Sequence, residues 1–442
     1  MLELAAGEHR AGADLALSRA LGIEGRVLDS VDDPMADVEV NVVDVDGNSV
    51  PIANSRYTDD RGEYRLFGLR PGRYRVCAVA QNMPYAPPSQ PTRLVRTCYP
   101  ASPSEPAAAD VVLAGDDAVG IDIRMQRSAT YSASGSVYDA AGALAQAVSV
   151  YAMPAVEHAT SSRGATVTEG RYELSGLTPG TYLVQASVGG SREGDGRPAT
   201  REREVGFAVA EIGNADVAGL DLRMSKGTTI TGRFWFEDGS APRSSQLHMI
   251  VQLVRLGVAS RSIERPPYAP VDERLTFELR DVFRWPQMVG LQNLPEGWAV
   301  KSVSIGTRDI TGIATDLGAD GPASRLDVRL TSKVASPRVR VTAPDGRPVT
   351  SYHAVLLPRD PARWEAAALG AWREPAADGV VPIGPCVPGE YLVAAISASD
   401  YRVLMNDRAR VAALASQATP VSFVEGETRI VELRLSALPP RQ

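Results

Sequence analysis

A five-residue phrase recurs along the chain at intervals of 99 to 108 residues. Each copy alternates apolar with charged or small side chains, as in Ile121, Asp122 and Ile123, and therefore predicts a strand with one buried face. Intervals of this size match one small domain and are too long for a solenoid repeat. The chain is thus predicted to be a series of similar β-domains. The copies are ADLAL from Ala13, IDIRM from Ile121, LDLRM from Leu220, LDVRL from Leu326 and VELRL from Val431.

A second alternating run comes after each of the first four phrases and ends in an acidic or glycine turn. We interpret the phrase as the closing strand of one domain and the run as the opening strand of the next. The runs are GIEGRVLD from Gly22, SASGSVYD from Ser132, TITGRFWFED from Thr229 and SPRVRVTAPDG from Ser336. Domains are therefore predicted over 21–126, 127–225, 226–331 and 332–442. We expect residues 1–20 to hold the orphan closing strand of an upstream domain.

An aromatic side chain stands three positions after a turn proline in each predicted domain. Proline fixes φ at the corner, and the glycine beside it tolerates the angles of a tight turn. Apolar residues then alternate along the next strand, so we expect the ring to fill the core next to the turn and assign it no ligand. The pairs are Pro71 and Tyr74, Pro179 and Tyr182, Pro295 and Trp298, and Pro388 and Tyr391.

These motifs resemble the carboxypeptidase regulatory-like domain, a transthyretin-like (prealbumin-like) β-sandwich. The match is best at Gly25 to Val27, Asp60 to Gly68 and Pro71 to Val76, extends through the second repeat, and is partial in the third and fourth. The resemblance implies an all-β tandem array of four transthyretin-like (Ig-like) antiparallel β-sandwich domains, of which the last two are divergent. Short helical insertions are expected in the fourth, one of them from Val403. These motifs specify a fold and no activity.

The sequence holds no recognisable catalytic, metal or cofactor motif, and we predict a non-enzymatic protein without a cofactor. A zinc site needs clustered histidine and carboxylate ligands, whereas the four histidines fall in different predicted domains. Nucleophile-elbow, phosphate-loop and dinucleotide-binding patterns are also missing. The histidines are His9, His158, His248 and His353.

The charge balance argues against nucleic acid as a partner. The net charge is -7, and no basic stripe runs along the sequence. No apolar stretch is long enough to cross a membrane. A protein or a glycan at a cell surface is the partner that these observations leave open.

Two of the three cysteines lie in the first predicted domain. Cys77 and Cys98 are 21 residues apart, and a disulfide between them would add about 3 kcal/mol in an oxidising compartment. Cys77 is out of phase with Tyr74 and Val76, so its thiol is expected off the inner face. Two unpaired thiols remain the alternative, and Cys386 has no partner in its own domain. We expect a secreted, cell-surface or periplasmic protein, although no signal peptide is visible.

Two further aromatic groups are candidates for ligand contact. Trp364 and Trp372 bracket an alanine-rich segment and are candidates for stacking on sugar rings, although we favour a role in fastening a loop to the fourth domain. The triplet Phe234 to Phe236 is interpreted as strand core.

The predicted function is that of a non-catalytic extracellular or cell-surface protein, which acts as a structural spacer and as a protein or glycan interaction module. One alternative is an array of carbohydrate-binding modules, which exposed aromatic rings on a sheet face would favour. The other is an accessory C-terminal part of a larger peptidase or outer-membrane receptor.

Overall fold

The computed structural model describes residues 19–44, 50, 52, 56–80, 92–103, 107–155, 162–188, 202–237, 249–254, 266–319, 325–343, 345–364, 378–397, 400–401, 404 and 408–437. They form an all-β, multi-sheet protein. The predicted strand at Ala13 lies outside the described residues. The helical segments described without gaps are α1 (Arg408–Ala415), which overlaps the helical insertion predicted from Val403, and 3-10 turns at Leu317–Ala319 and Pro361–Arg363.

The strands are numbered in chain order. Up to residue 126 they are β1 (Leu21–Leu28), β2 (Val38–Asp44), β3 (Glu63–Leu69), β4 (Gly72–Ala80), β5 (Thr92–Leu94), β6 (Thr97–Cys98), β7 (Val111–Leu113) and β8 (Ile123–Arg124). The next are β9 (Arg127–Ala129), β10 (Tyr131–Tyr138), β11 (Ser149–Pro154), β12 (Arg163–Thr166), β13 (Arg171–Leu177), β14 (Gly180–Val188), β15 (Glu204–Ile212), β16 (Leu222–Arg223) and β17 (Ser225–Lys226).

The remaining strands cover the last two predicted domains. They are β18 (Thr228–Phe236), β19 (Ile250–Val254), β20 (Tyr268–Pro270), β21 (Thr276–Val282), β22 (Pro286–Gln292), β23 (Ala299–Ile305), β24 (Arg308–Asp309), β25 (Thr315–Asp316) and β26 (Arg325–Thr331). After these come β27 (Arg338–Val341), β28 (His353–Pro358), β29 (Val380–Pro382), β30 (Gly389–Ile396), β31 (Thr419–Phe423) and β32 (Ile430–Leu433).

Contacts divide the chain into two compact units. The first comprises residues 1–81 and 96–126, and its sheets have the strand orders β3-β1-β8 and β2-β4-β6, with β7 also paired to β4. The second comprises residues 82–95 and 127–442, so β5 belongs to it and pairs with β9. The segment 92–95 therefore packs with residues beyond the boundary predicted at 126. The division into four domains stays a prediction.

The second unit contains three similar pairs of sheets. Their strand orders are β13-β10-β16 with β12-β11-β14-β15-β17, then β21-β18-β26-β23-β24 with β20-β19-β22-β25, and finally β29-β27-β32 with β28-β30-β31. In each pair the inward side chains of both sheets enclose one apolar core. In the last pair a second apolar cluster joins β28 and β30 to α1.

The expectation of antiparallel sheets is wrong for one strand pair in each repeat. The opening strand runs parallel to its closing strand, and the pairs are β1 with β8, β10 with β16, β18 with β26, and β27 with β32. Every other strand pair described is antiparallel. Parallel pairing is possible here because a whole repeat of intervening chain separates the two strands.

The glycine of the opening strand allows the closing phrase to approach closely. A Cβ atom on Gly135 would lie 2.2 Å from the carbonyl oxygen of Leu220, and one on Gly25 would lie 2.1 Å from that of Ile121. A buried tyrosine hydroxyl, from Tyr172 in the second repeat, donates to the same Leu220 oxygen at 2.6 Å. Only glycine leaves room for this arrangement.

The turn aromatics are structural, as expected. Tyr74 and Tyr182 are buried, and each hydroxyl donates to the carbonyl oxygen four residues earlier, at 2.8 Å and 3.0 Å. Tyr391 makes the same bond to Val387 at 2.7 Å. Trp298 is buried in the third repeat. The ring therefore fills the core and, where it is a tyrosine, closes the turn that precedes it.

Candidate functional site

The acidic residue of each described closing phrase contacts the opening strand of its own repeat. In the first repeat Asp122 accepts hydrogen bonds from the backbone amide and the guanidinium of Arg26, at 2.9 Å and 3.1 Å. In the second, Asp221 accepts from the amide of Ser136 at 2.9 Å. In the fourth, the acidic residue of the closing phrase forms an ion pair with Arg340 of the opening strand. These acids fix the pairing of the two strands.

The third repeat adds an exposed tryptophan to this contact. Oδ1 of Asp327 accepts hydrogen bonds from Nε of Arg233 at 2.7 Å and from Nε1 of Trp235 at 3.2 Å. The guanidinium carbon of Arg233 lies 3.9 Å from the centroid of the Trp235 ring, within the range of a cation–π contact. One carboxylate oxygen therefore holds an arginine and an indole against each other.

The interpretation of the aromatic triplet as strand core is wrong for its middle residue. Phe234 is buried, whereas Trp235 is 44% exposed. Successive side chains of a strand point to opposite faces, so a ring between two inward neighbours faces outward. Three aromatic residues in a row hide this alternation, but the phase of Ile230 and Phe234 along β18 reveals it.

The Asp327 carboxylate is suited to hold both donors. Burial alone would raise its pKa, but the hydrogen bonds from Arg233 and Trp235 outweigh this effect and hold the pKa below its ordinary value of 3.8. The group is therefore ionised at neutral pH. An ionised carboxylate is the stronger acceptor for both partners.

Strand register places further polar groups beside the ring. Trp235 pairs with Arg329 on β26, and Arg329 in turn pairs with Ser302 on β23. Asp327 pairs with Ser304. We call the outward surface formed by these side chains the Trp235 face: Arg233, Trp235, Ser302, Ser304, Asp327 and Arg329.

The structure brings the predicted cysteine pair together. Cys77 and Cys98 are register partners on the neighbouring strands β4 and β6, and their Sγ atoms are 2.06 Å apart. Both residues are fully buried. The sequence predicts that the Cys77 thiol points away from the inner face of the strand, and this position is shielded from solvent. Cys386 is free and buried. Whether the bond forms in the cell stays a prediction.

The predicted tryptophan pair falls only partly within the described residues. Nε1 of Trp364 donates to the carbonyl oxygen of Pro358 at 2.8 Å, and the ring packs on the apolar cluster around α1. This contact is compatible with a loop-fastening role. Trp372 lies outside the described residues, as do His9, His158 and His248. His353 is described, and its ring stacks on Tyr401 with centroids 4.3 Å apart.

Metal binding and membrane crossing each require a recognisable feature. Within the described part of the chain, no three His, Cys, Asp or Glu side chains are grouped so that they could hold a metal ion. None of the described helices combines the length and the apolar character that a membrane crossing requires.

The chain is distantly similar to several solved structures. The TIE protein of Bacillus anthracis is 10% identical, with 96% of this chain and 75% of that chain covered and a TM-score of 0.20. BcpA, the major pilin subunit of Bacillus cereus, is 10% identical, with 94% and 99% covered and a TM-score of 0.17. A putative carbohydrate binding protein from Pseudomonas aeruginosa is 16% identical, with 21% and 87% covered and a TM-score of 0.16.

The family comparison is more specific. No curated protein matches the sequence. The family model of the carboxypeptidase regulatory-like domain matches residues 22–126. The match confirms the resemblance where its motifs are strongest, from the opening glycine Gly25 to the closing phrase at Ile121. Residues 22–126 of this chain are a carboxypeptidase regulatory-like domain.

Proposed function

We propose that the chain is a non-catalytic module that works outside the cytoplasm as a spacer and as an interaction surface. The parallel pairing of opening and closing strands carries this proposal. In a parallel pair both strands start at the same end, so the chain enters each repeat at one end of the pair and leaves it at the other. Each repeat therefore separates the segment before it from the segment after it.

The cysteine pair supports the location. Disulfides persist in oxidising compartments, and Cys77 and Cys98 occupy paired positions on adjacent strands. An origin at a bacterial surface or in a periplasm fits this chemistry. An accessory role beside a peptidase or a receptor is compatible with the same location.

A labelling experiment on the organism that makes the protein tests this proposal. Intact cells are treated with an amine reagent that cannot cross membranes, and the extracted chain is then denatured, alkylated and analysed by mass spectrometry. We expect an intact Cys77–Cys98 bond and alkylation of Cys386, the internal control, at either location, and modification of Lys226 and Lys301 in intact cells for a chain at the surface. Lysine labelling only after lysis, together with alkylated Cys77 and Cys98, would refute the proposal.

An array of carbohydrate-binding modules is the second candidate. The observation that favours it is Trp235, an exposed aromatic ring on the outer face of a sheet. This ring supports the candidate in the third repeat, where Asp327 also holds it in a fixed orientation.

A further inference from the structure

We infer that the Trp235 face binds an acidic polysaccharide, with one uronic acid ring lying on Trp235 and its carboxylate bound by Arg329. The inference deepens the proposed function, on which it rests, by naming the partner of the interaction surface.

The ring is exposed and already oriented. Trp235 leaves 44% of its surface open, while its indole nitrogen is bound to Asp327 and its ring lies under the Arg233 guanidinium. A side chain fixed before binding loses little further rotamer freedom when a ligand arrives. Because Arg233 covers one face of the indole, the sugar would lie on the opposite face, where the apolar C–H face of a pyranose ring can stack on the broad apolar ring.

The charge of the Trp235 face favours an anion. This face holds two arginines, Arg233 and Arg329, against the one acid Asp327, an excess of one positive charge on a chain of net charge -7. Arg233 is engaged by Asp327. Arg329 is exposed, and its guanidinium makes no ion pair or hydrogen bond with another residue that the structure describes. A guanidinium binds a carboxylate through two parallel hydrogen bonds, so Arg329 is matched to a uronate.

The remaining groups favour a glycan over an acidic protein. Ser302 and Ser304 occupy the register positions beside Arg329 and Asp327, and their hydroxyl groups can both donate and accept hydrogen bonds. Trp235 is the one large apolar side chain of the Trp235 face. The core of a protein–protein interface is more apolar than the Trp235 face. A sugar chain carries many hydroxyl groups, which can form hydrogen bonds with the polar side chains of this face.

Binding of the full chain to polygalacturonate, measured by isothermal titration calorimetry, tests the inference. Trp235→Ala and Arg329→Gln should each weaken binding at least about tenfold, as expected for loss of a stacking platform or a charge-assisted contact. Tyr268→Ala is the matched aromatic control, since Tyr268 is 69% exposed on the opposite sheet. Arg338→Gln removes one exposed charge from another sheet. Both controls should bind within about twofold of the unaltered chain.

Methyl-esterified polygalacturonate keeps the sugar rings and removes the charge, so it should bind at least about tenfold more weakly than the free acid. The inference is overturned if the free acid does not bind, if the ester binds equally well, or if either site variant binds like the controls. Arg329→Gln changes an exposed position and keeps the test valid if Trp235→Ala fails to fold. These outcomes are independent of cell labelling, so failure here is distinguishable from failure of the proposed location.

Discussion

Replacing Gly135 with alanine is expected to destabilise the sheet formed by β13, β10 and β16. The new Cβ atom would lie 2.2 Å from the Leu220 carbonyl oxygen, whereas real Cβ contacts essentially never fall under 3.0 Å. The closing phrase must therefore move by about 0.8 Å against close-packed surroundings. This movement strains the bond from Tyr172 at 2.6 Å and the bond from the Leu220 amide to Ser134 at 3.0 Å.

The cost follows from these two effects. Overpacking costs about 1–3 kcal/mol, and the two hydrogen bonds, which are weakened and not lost, together add about 1 kcal/mol, so we expect a loss of about 2–4 kcal/mol. Hydrogen exchange of the full chain, followed in peptides that cover Tyr131–Tyr138 and Arg171–Leu177, reports this loss locally. Protection should fall by a factor of about 30 to 900.

Substitutions at two other glycines of the same repeat distinguish steric overlap of the new Cβ atom from backbone strain. Gly213 has no atom within 4 Å of an added Cβ and no left-handed backbone, so Gly213→Ala should change stability by less than about 0.5 kcal/mol. Gly219 has equal space but a φ of +75°, so Gly219→Ala should cost about 1–2 kcal/mol through backbone strain alone. If Gly135→Ala retained protection within about threefold of the unaltered chain, or cost no more than Gly219→Ala, the close-approach argument would be refuted.

The remaining predictions concern the cysteines and a buried tyrosine. Changing Cys77 and Cys98 together to alanine should lower the stability of β4 by about 3 kcal/mol in hydrogen exchange, because their bond closes a loop of 21 residues; an unchanged β4 would contradict this. Burial raises the pKa of Cys386 from 9.0 to about 11, so the folded chain favours the protonated thiol. The contribution of this thiol to stability is complete below the unfolded pKa of 9.0 and is lost as the pH rises through about 11. Iodoacetamide should therefore modify the folded chain slowly at pH 8, and rapid modification there would show an accessible thiolate. Tyr172→Phe removes the bond to Leu220 and should cost about 1 kcal/mol by exchange over Arg171–Leu177; unchanged protection would exclude a stabilising role for that bond.

The repeat structure could be predicted from the sequence because its signals are local. The closing phrases at Ile121 and Leu220 alternate regularly, and the turn prolines place an aromatic at the start of the next strand. The family resemblance is carried by the same residues. Each of these patterns depends only on strand periodicity and turn chemistry.

Strand partners and surface chemistry depended on the folded chain. Opening and closing strands are about 100 residues apart, and their alternation is the same for parallel and antiparallel pairing. The Trp235 face combines β18, β23 and β26, so Arg329 and Ser302 become neighbours of the ring only through strand register. The phenylalanines on either side of Trp235 also hid its outward orientation in the sequence.

The parallel pairing also determines how each repeat would respond to stretching. A force applied where the chain enters and leaves a repeat acts along both strands and loads their mutual hydrogen bonds together, so the bonds are sheared and not unzipped. The pairs differ in length, with two residue pairs between β1 and β8, four between β27 and β32, and six between β18 and β26. Under rising tension the repeats should yield in that order, and the repeat that carries Trp235 should hold longest of these three.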